Sequence, residues 1–307
     1  MNDRSRTASN HADIAEITVR EALARGTAFL RAAGVESARL DTELILAETL
    51  GLDRLGVYLK SGRVLSGAER ARSRELLARR RTREPLAYIL GRREFYGFTF
   101  EVGPDVLIPR PETEFLVDSV LEWLRARPAE AGAPLLVDIG VGSGAIAVAA
   151  ATTARKEGRE TRWLATDVSE KALEIARSNA RRHGVEASIE FALGPFYEPL
   201  SERVDAVCAN PPYVAESEIE GLAPEIARFE PRAALAGGRD GLANLAELIR
   251  QAPDRLTPGG AIFLEIGAGH RDAVGAIFGE DARWAPPNFQ PDAAGVPRVA
   301  RAQLKDG

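Results

Sequence analysis

Cysteine is almost missing from the chain. The only one, Cys208, lies inside an apolar run, so neither a disulfide framework nor a cysteine metal cluster is available. Its thiol reads as a small buried hydrophobe rather than a nucleophile. The three histidines, His11, His183 and His270, are scattered without metal-ligand spacing, so no metal site is expected. No apolar run reaches the roughly 18 residues of a membrane span, and Met1 to Asp13 is polar rather than signal-like. A cytoplasmic location without a membrane partner is the default expectation. An excess of positive charge is missing too: Lys plus Arg is 40 against Asp plus Glu 45, a net charge of -5. That is not the footprint of a general nucleic-acid binder, and no stable nucleic-acid partner is expected, although the total says nothing about a local basic patch. No internal repeat is evident.

What is present is a chain of 307 residues, 45% hydrophobic and 28% charged, the composition of a globular protein with room for a second domain. Residues 1–14 read as irregular. From Ile17 to about Arg83 the apolar period is helical, through Val19, Leu23, Phe29 and Leu30 and then Leu40, Leu44, Ile45 and Leu50, with a break at Gly34 and a cap expected at Ser37. Ser66 and Glu69 have capping-box spacing ahead of Leu76 and Leu77. Residues 1–85 are therefore expected to form a helical domain. It carries a run of arginines that includes Arg70, Arg72, Arg74, Arg79, Arg80, Arg81 and Arg83. Such a run is commonly a solvated face; the other reading is a dock for an acidic partner or RNA. Residues 86–108, with Tyr88, Ile89, Phe95, Tyr96, Phe98, Phe100 and Val102 around Gly91 and Gly97, suggest a hairpin linking two domains.

Residues 109–307 open with an amphipathic helix through Leu116, Val120 and Leu124, led in by Leu107–Glu114. From 135 on, strand and helix alternate. Strands are expected at 135–139, 163–166, 188–192, 204–208 and 261–266, with two antiparallel edge strands near 282–284 and 296–303. The fold class is α/β, a Rossmann-like seven-stranded domain behind a small N-terminal helical domain.

Two stretches carry chemistry. Gly140, Val141, Gly142, Ser143 and Gly144 follow the first strand of this domain, where glycine permits tight turns and close backbone approach to a ligand. The spacing differs from the dinucleotide fingerprint. Asp167, ending the second strand, suits the hydroxyls of a ribose, or simply caps the helix starting near Ser169. Asp138 is placed to orient the loop or a ligand ammonium. After the fourth strand come Asn210, Pro211, Pro212 and Tyr213. The prolines hold this segment extended, so that two carbonyls can receive both hydrogens of a planar NH2 group, and Tyr213 offers a flat wall. Ligands of open α/β sheets sit beyond the carboxyl ends of the strands. A nucleoside cofactor and a planar amide or amine would then face each other, which is the arrangement for methyl transfer from S-adenosyl-L-methionine, with S-adenosyl-L-homocysteine as product.

Here the chain resembles the protein-(glutamine-N5) methyltransferases that modify peptide chain release factors. The likeness runs from about Leu40 to Val299. It includes Arg83–Gly91, Arg93–Gly97, the Leu107–Glu114 stretch, the glycine loop, Asp167, Asn210–Tyr213, Phe229-Glu230-Pro231, Leu264–Gly267 and Asp292–Gly295. The Asn-Pro-Pro-Tyr segment alone is shared with adenine N6 methyltransferases. The resemblance implies that Gly140–Gly144 surround the methionine part of the cofactor, that Asp167 holds its ribose, and that Phe196 lies near the adenine. It implies that Asn210 meets both cofactor and substrate, and that Asn210, Pro211, Pro212 and Tyr213 hold the glutamine of the Gly-Gly-Gln loop of class 1 release factors. Asn210, Pro211 and Tyr213 are then the catalytic residues. Phe100 and Arg110–Glu114 would border the pocket, and the helical domain would recognise the release factor. Pro195 stands where the family commonly has aspartate, which removes a carboxylate acceptor for the adenine amino group. A monomer is expected. The alternatives are an adenine N6 methyltransferase acting on nucleic acid, and a non-catalytic cofactor-binding adaptor.

Overall fold

A computed structural model describes residues 16–128 and 132–305; the expectation for residues 1–14 lies outside them. The chain divides into two compact units, residues 1–90 and 91–307.

Among its described residues the first unit contains five helices: α1 (Val19–Arg31), α2 (Ala38–Leu50), α3 (Arg54–Leu59), α4 (Gly67–Arg81) and α5 (Leu86–Leu90). The capping box at Ser66 and Glu69 is formed, and a second one at Thr18 and Glu21 starts α1. Ser37 precedes α2 but makes no side-chain cap bond. Leu30, Ile45, Leu46 and Leu76 are fully buried, whereas Phe29 and Leu40, counted in the apolar helical period, are exposed. Much of the arginine run is used within the unit. Arg80 makes a buried ion pair with Asp41 at 2.7 Å. Arg79 pairs with Glu84, Arg83 donates to the Gly34 carbonyl, and Arg81 lies over the Phe29 ring. Tyr88 and Ile89 are helical rather than part of a hairpin, because the Pro85 carbonyl accepts both of their amide hydrogens at 3.1 Å. The division accordingly falls after Leu90, where 86–108 had been read as one linking segment.

The second unit begins with the hairpin β1 (Arg92–Phe95) and β2 (Phe98–Glu101), followed by α6 (Thr113–Ala126). Then come β3 (Leu135–Ile139), α7 (Ala145–Lys156), β4 (Arg162–Asp167), α8 (Glu170–Arg182), β5 (Ile189–Leu193) and β6 (Val204–Ala209). A short α9 (Pro224–Phe229), α10 (Ala243–Arg255), β7 (Leu256–Glu265), α11 (Arg271–Gly279), β8 (Asn288–Pro291) and β9 (Pro297–Gln303) complete it. The seven-stranded sheet has the order β5-β4-β3-β6-β7-β9-β8. Strands β3 to β7 are parallel, and β9 runs antiparallel to both β7 and β8.

Side chains alternate across this sheet as the pleat requires. Leu136, Ala206, Cys208 and Phe263 pack under α6, α7 and α8, while Val137, Val207, Ile262 and Leu264 pack with α10 and α11. Cys208 is fully buried and its thiol is pushed up by burial. The strand after β7 starts at Asn288 rather than near Ala282. Trp284 meets Leu304 in a single bridge and is buried edge-on against Phe278, so packing takes it out of the sheet. β9 is an interior strand, and β8 alone forms that edge.

Candidate active site

The chain order reverses between β3 and β6: after β3 it steps outward to β4 and β5, then returns to the other side of β3. A crevice at the carboxyl ends of the strands is expected at such a switch point. A cleft of about 470 Å³ lies there, lined from the loops after β3, β4, β5 and β6 and from the segment before α6.

On one side is the glycine loop. Gly140, Gly142 and Gly144 have φ of 73°, 51° and 85°, a region that suits glycine. The Thr166 carbonyl accepts the amides of Gly140 and Val141 at 2.9 Å. Asp167 braces the turn: one carboxylate oxygen accepts from the Gly142 amide at 3.0 Å and the other from the Ser169 amide at 2.9 Å. The cap of α8 itself is the Ser169 side chain. Each Asp167 oxygen retains a lone pair, since a carboxylate accepts about four hydrogen bonds.

Below the loop, Asp138 is fully buried. Its Oδ2 accepts from the Ala147 amide at 3.0 Å, while Oδ1 has no partner. Burial, with the Asp167 charge adding to it, pushes this carboxyl up to about 7.

On the other side Asn210 directly follows β6. Its Nδ2 donates to Thr113 Oγ1 at 3.1 Å, and Thr113 donates to Glu265 Oε2 at 2.6 Å. Glu265 Oε1 accepts from the Tyr213 hydroxyl at 3.0 Å. The carbonyl of Pro212 is occupied by Asn244 Nδ2 at 2.9 Å. Glu265 is fully buried at the end of β7, and burial pushes its carboxyl up to about 7. Arg110 pairs with the buried Glu230 at 2.7 Å, tying the segment before α6 to the loop beyond β6.

Gly140, Val141, Gly142, Ser143, Asp167, Phe196, Asn210, Pro211 and Pro212 all line the cleft, as do Arg110, Thr113 and Pro195. Other residues read as site residues from the sequence do not: Gly144, Phe100, Tyr213, the buried Asp138, and Pro111, Glu112 and Glu114 of the stretch before and into α6. Gly144 faces α8: a Cβ there would lie 3.1 Å from Val148 and 3.4 Å from Ala176, so this glycine serves helix packing. Phe100 is fully buried in the core, edge-on to Phe95. Tyr213 is not a cleft wall, because its hydroxyl is drawn to Glu265 and its ring stands edge-on to His270. Glu265 had been noted only as part of a matching stretch; its partner Thr113 is 152 residues away in the chain. Among the described residues no cluster of His, Cys, Asp and Glu is arranged to hold a metal ion, and no helix is long and apolar enough to cross a membrane.

Comparison with known proteins agrees with this architecture. Residues 21–91 match the family model described as the PrmC N-terminal domain, and residues 119–229 match the methyltransferase small domain. The release factor glutamine methyltransferase of Geobacter sulfurreducens is 43% identical over 262 residues, spanning 85% of this chain and 88% of that protein. The enzyme of the same name from Nitratidesulfovibrio vulgaris is 40% identical, over 96% of this chain and 98% of that one. Among solved structures, the hMettl16 catalytic domain in complex with an RNA hairpin superposes with a TM-score of 0.52 at 17% identity, covering 80% of this chain and 85% of that one. That likeness shows the Rossmann-like methyltransferase fold alone. By the identity and coverage of these relatives, the chain belongs to the release factor glutamine methyltransferase family.

Proposed function

We propose that this enzyme transfers the methyl group of S-adenosyl-L-methionine to the side-chain amide nitrogen (N5) of the glutamine in the Gly-Gly-Gln loop of class 1 release factors. The observation that carries the reading is the committed amide of Asn210. One N–H of its NH2 donates to Thr113, which sets the amide's orientation and leaves its carbonyl oxygen for a ligand, in the cleft that also holds the glycine loop.

The residues present fit the cofactor. The unpartnered Oδ1 of buried Asp138 suits a ligand ammonium, and Gly140, where nothing lies within 4 Å of a built Cβ, leaves open space for close approach. Asp167 has acceptor capacity for ribose hydroxyls, and Phe196 offers a ring to the adenine. When bound, the cofactor supplies an activated methyl carbon, so the protein's work is alignment and electrostatics. The side-chain oxygen of Asn210 and the main-chain oxygen of Pro211 accept the two N–H bonds of the glutamine amide. They fix its plane and stabilise the positive charge that develops on nitrogen. Pro212 contributes stiffness, its own carbonyl being held by Asn244. The proton leaves after transfer, and no strong base is needed. The helical unit, residues 1–90, recognises the body of the release factor.

The test is methyl transfer from labelled cofactor to purified release factor, with the modified residue located by fragmentation and duplex and single-stranded DNA run in parallel. Methylated glutamine is expected. Methylated adenine with an unmodified Gly-Gly-Gln peptide would replace this reading by the adenine N6 activity. Asn210→Ala, which removes one aimed acceptor, is expected to lower kcat by ~10²–10³ while binding of the factor changes less.

A further inference from the structure

The side chain of Asn210 has two nearly isosteric orientations, and only one presents its oxygen to an acceptor amide. What selects that orientation lies behind it. Thr113 has a single hydroxyl proton and sits between Asn210 Nδ2 at 3.1 Å and Glu265 Oε2 at 2.6 Å. When Glu265 is ionised it has no proton to give, so in that form the Thr113 proton points to Glu265 and the Thr113 oxygen accepts. The Asn210 NH2 is the donor that satisfies it, and the amide oxygen is thereby turned away from Thr113. Tyr213 donates to the second oxygen of the same carboxylate. The polar groups thus form a directed chain in which every proton points toward Glu265.

The chain is held from three elements. Thr113 begins α6, Glu265 ends β7, and Asn210 and Tyr213 belong to the segment leaving β6. The charged neighbours of Glu265 are Glu112 beside Thr113 and Arg298 on β9, and Arg298 is itself paired with Asp292 at 2.9 Å. Among the described residues no cation is bonded to the carboxylate. Its oxygens are served by two neutral hydroxyls, an arrangement that orders protons more than it stores energy. A buried acid in this setting is costly to keep, and it finds its use in setting hydrogen-bond direction.

We propose that Glu265, acting through Thr113, is a positioning residue that fixes the orientation of the Asn210 amide so that its carbonyl oxygen faces the acceptor glutamine. The inference rests on the methyl-transfer reading above. Without an acceptor at 265, the Thr113 proton turns to the Asn210 oxygen and the amide flips. Without the Thr113 hydroxyl, neither orientation is selected.

Four variants test it in the full-length enzyme, with kcat and KM measured on purified release factor, and cofactor affinity and thermal midpoint measured on the same preparations. Thr113→Val and Glu265→Leu are expected to lose ~10²-fold in kcat, the scale of a misplaced reacting group, with KM and cofactor affinity near wild type. Thr113→Ser keeps the hydroxyl. Glu265→Gln keeps one acceptor for Thr113, with its NH2 donating to the Tyr213 oxygen. Both should recover most of the turnover. Wild-type kcat in folded Thr113→Val or Glu265→Leu would overturn the proposal, as would Thr113→Ser and Glu265→Gln losing as much as their apolar counterparts. A wild-type enzyme that methylates no release factor would instead remove the functional reading beneath it.

Discussion

Asp138 has one oxygen served by the Ala147 amide and one served by nothing, in a place water does not reach. Its folded value of about 7, raised by burial, lies above the ordinary aspartate value of about 3.9. Between those two values the folded state holds a proton that the unfolded chain has given up. The ligand-free protein therefore loses stability as pH rises through this window, and above about 7 the full cost of the buried charge is present. Glu265 acts in the same direction. Asp138→Asn removes one titration, so its stability relative to wild type is expected to be more favourable at pH 8 than at pH 5, by on the order of 2 kcal/mol, read as a higher relative thermal midpoint at pH 8. Parallel midpoint curves for the two proteins from pH 5 to 8 would contradict this. An ammonium bound at Oδ1 favours the ionised form, so cofactor affinity is expected to fall as pH drops below about 7, measured by calorimetry.

At the scale of elements, α4 shows that a charge run can have two fates on one helix. Arg80 faces inward and is buried with Asp41, so Arg80→Ser leaves a carboxylate unpaired and is expected to destabilise the protein by about 3–5 kcal/mol. Arg72, Arg74 and Arg81 face solvent. Changing those three to Ser is expected to leave the thermal midpoint nearly unchanged and to weaken release-factor binding more at low salt than at high salt. Unaltered binding at both salt concentrations would return that face to simple solvation. The sequence distinguished these fates poorly, because the helical period marks a face but not the Asp41 that lies 39 positions away. Local signals fared better. The glycine loop, Asp167 and Asn210 were legible because each depends on its own strand end. The β8 start, the burial of Phe100 and the turning of Tyr213 toward Glu265 depend on partners that only the assembled sheet brings near.

At the scale of the molecule, each unit has its own core: Leu30, Leu46 and Leu76 lie in one, Leu116, Trp163 and Phe263 in the other. Scanning calorimetry is expected to resolve two transitions, with saturating cofactor raising only the one that belongs to residues 91–307, by ~2.7 kcal/mol at a hundred times Kd. A single transition that moves as a whole would show that the units unfold together. The cleft draws on chain positions from Pro104 to Leu248, and the support behind it extends to Glu265. During synthesis the loop after β3 and the end of β4 leave the ribosome well before β7 does. A nascent chain can thus complete the nucleoside half of the crevice while the amide of Asn210 still has nothing to orient it. On the positioning role proposed for Glu265, methyl transfer therefore waits for β7, although the loop and strand end proposed to meet the cofactor come earlier in the chain.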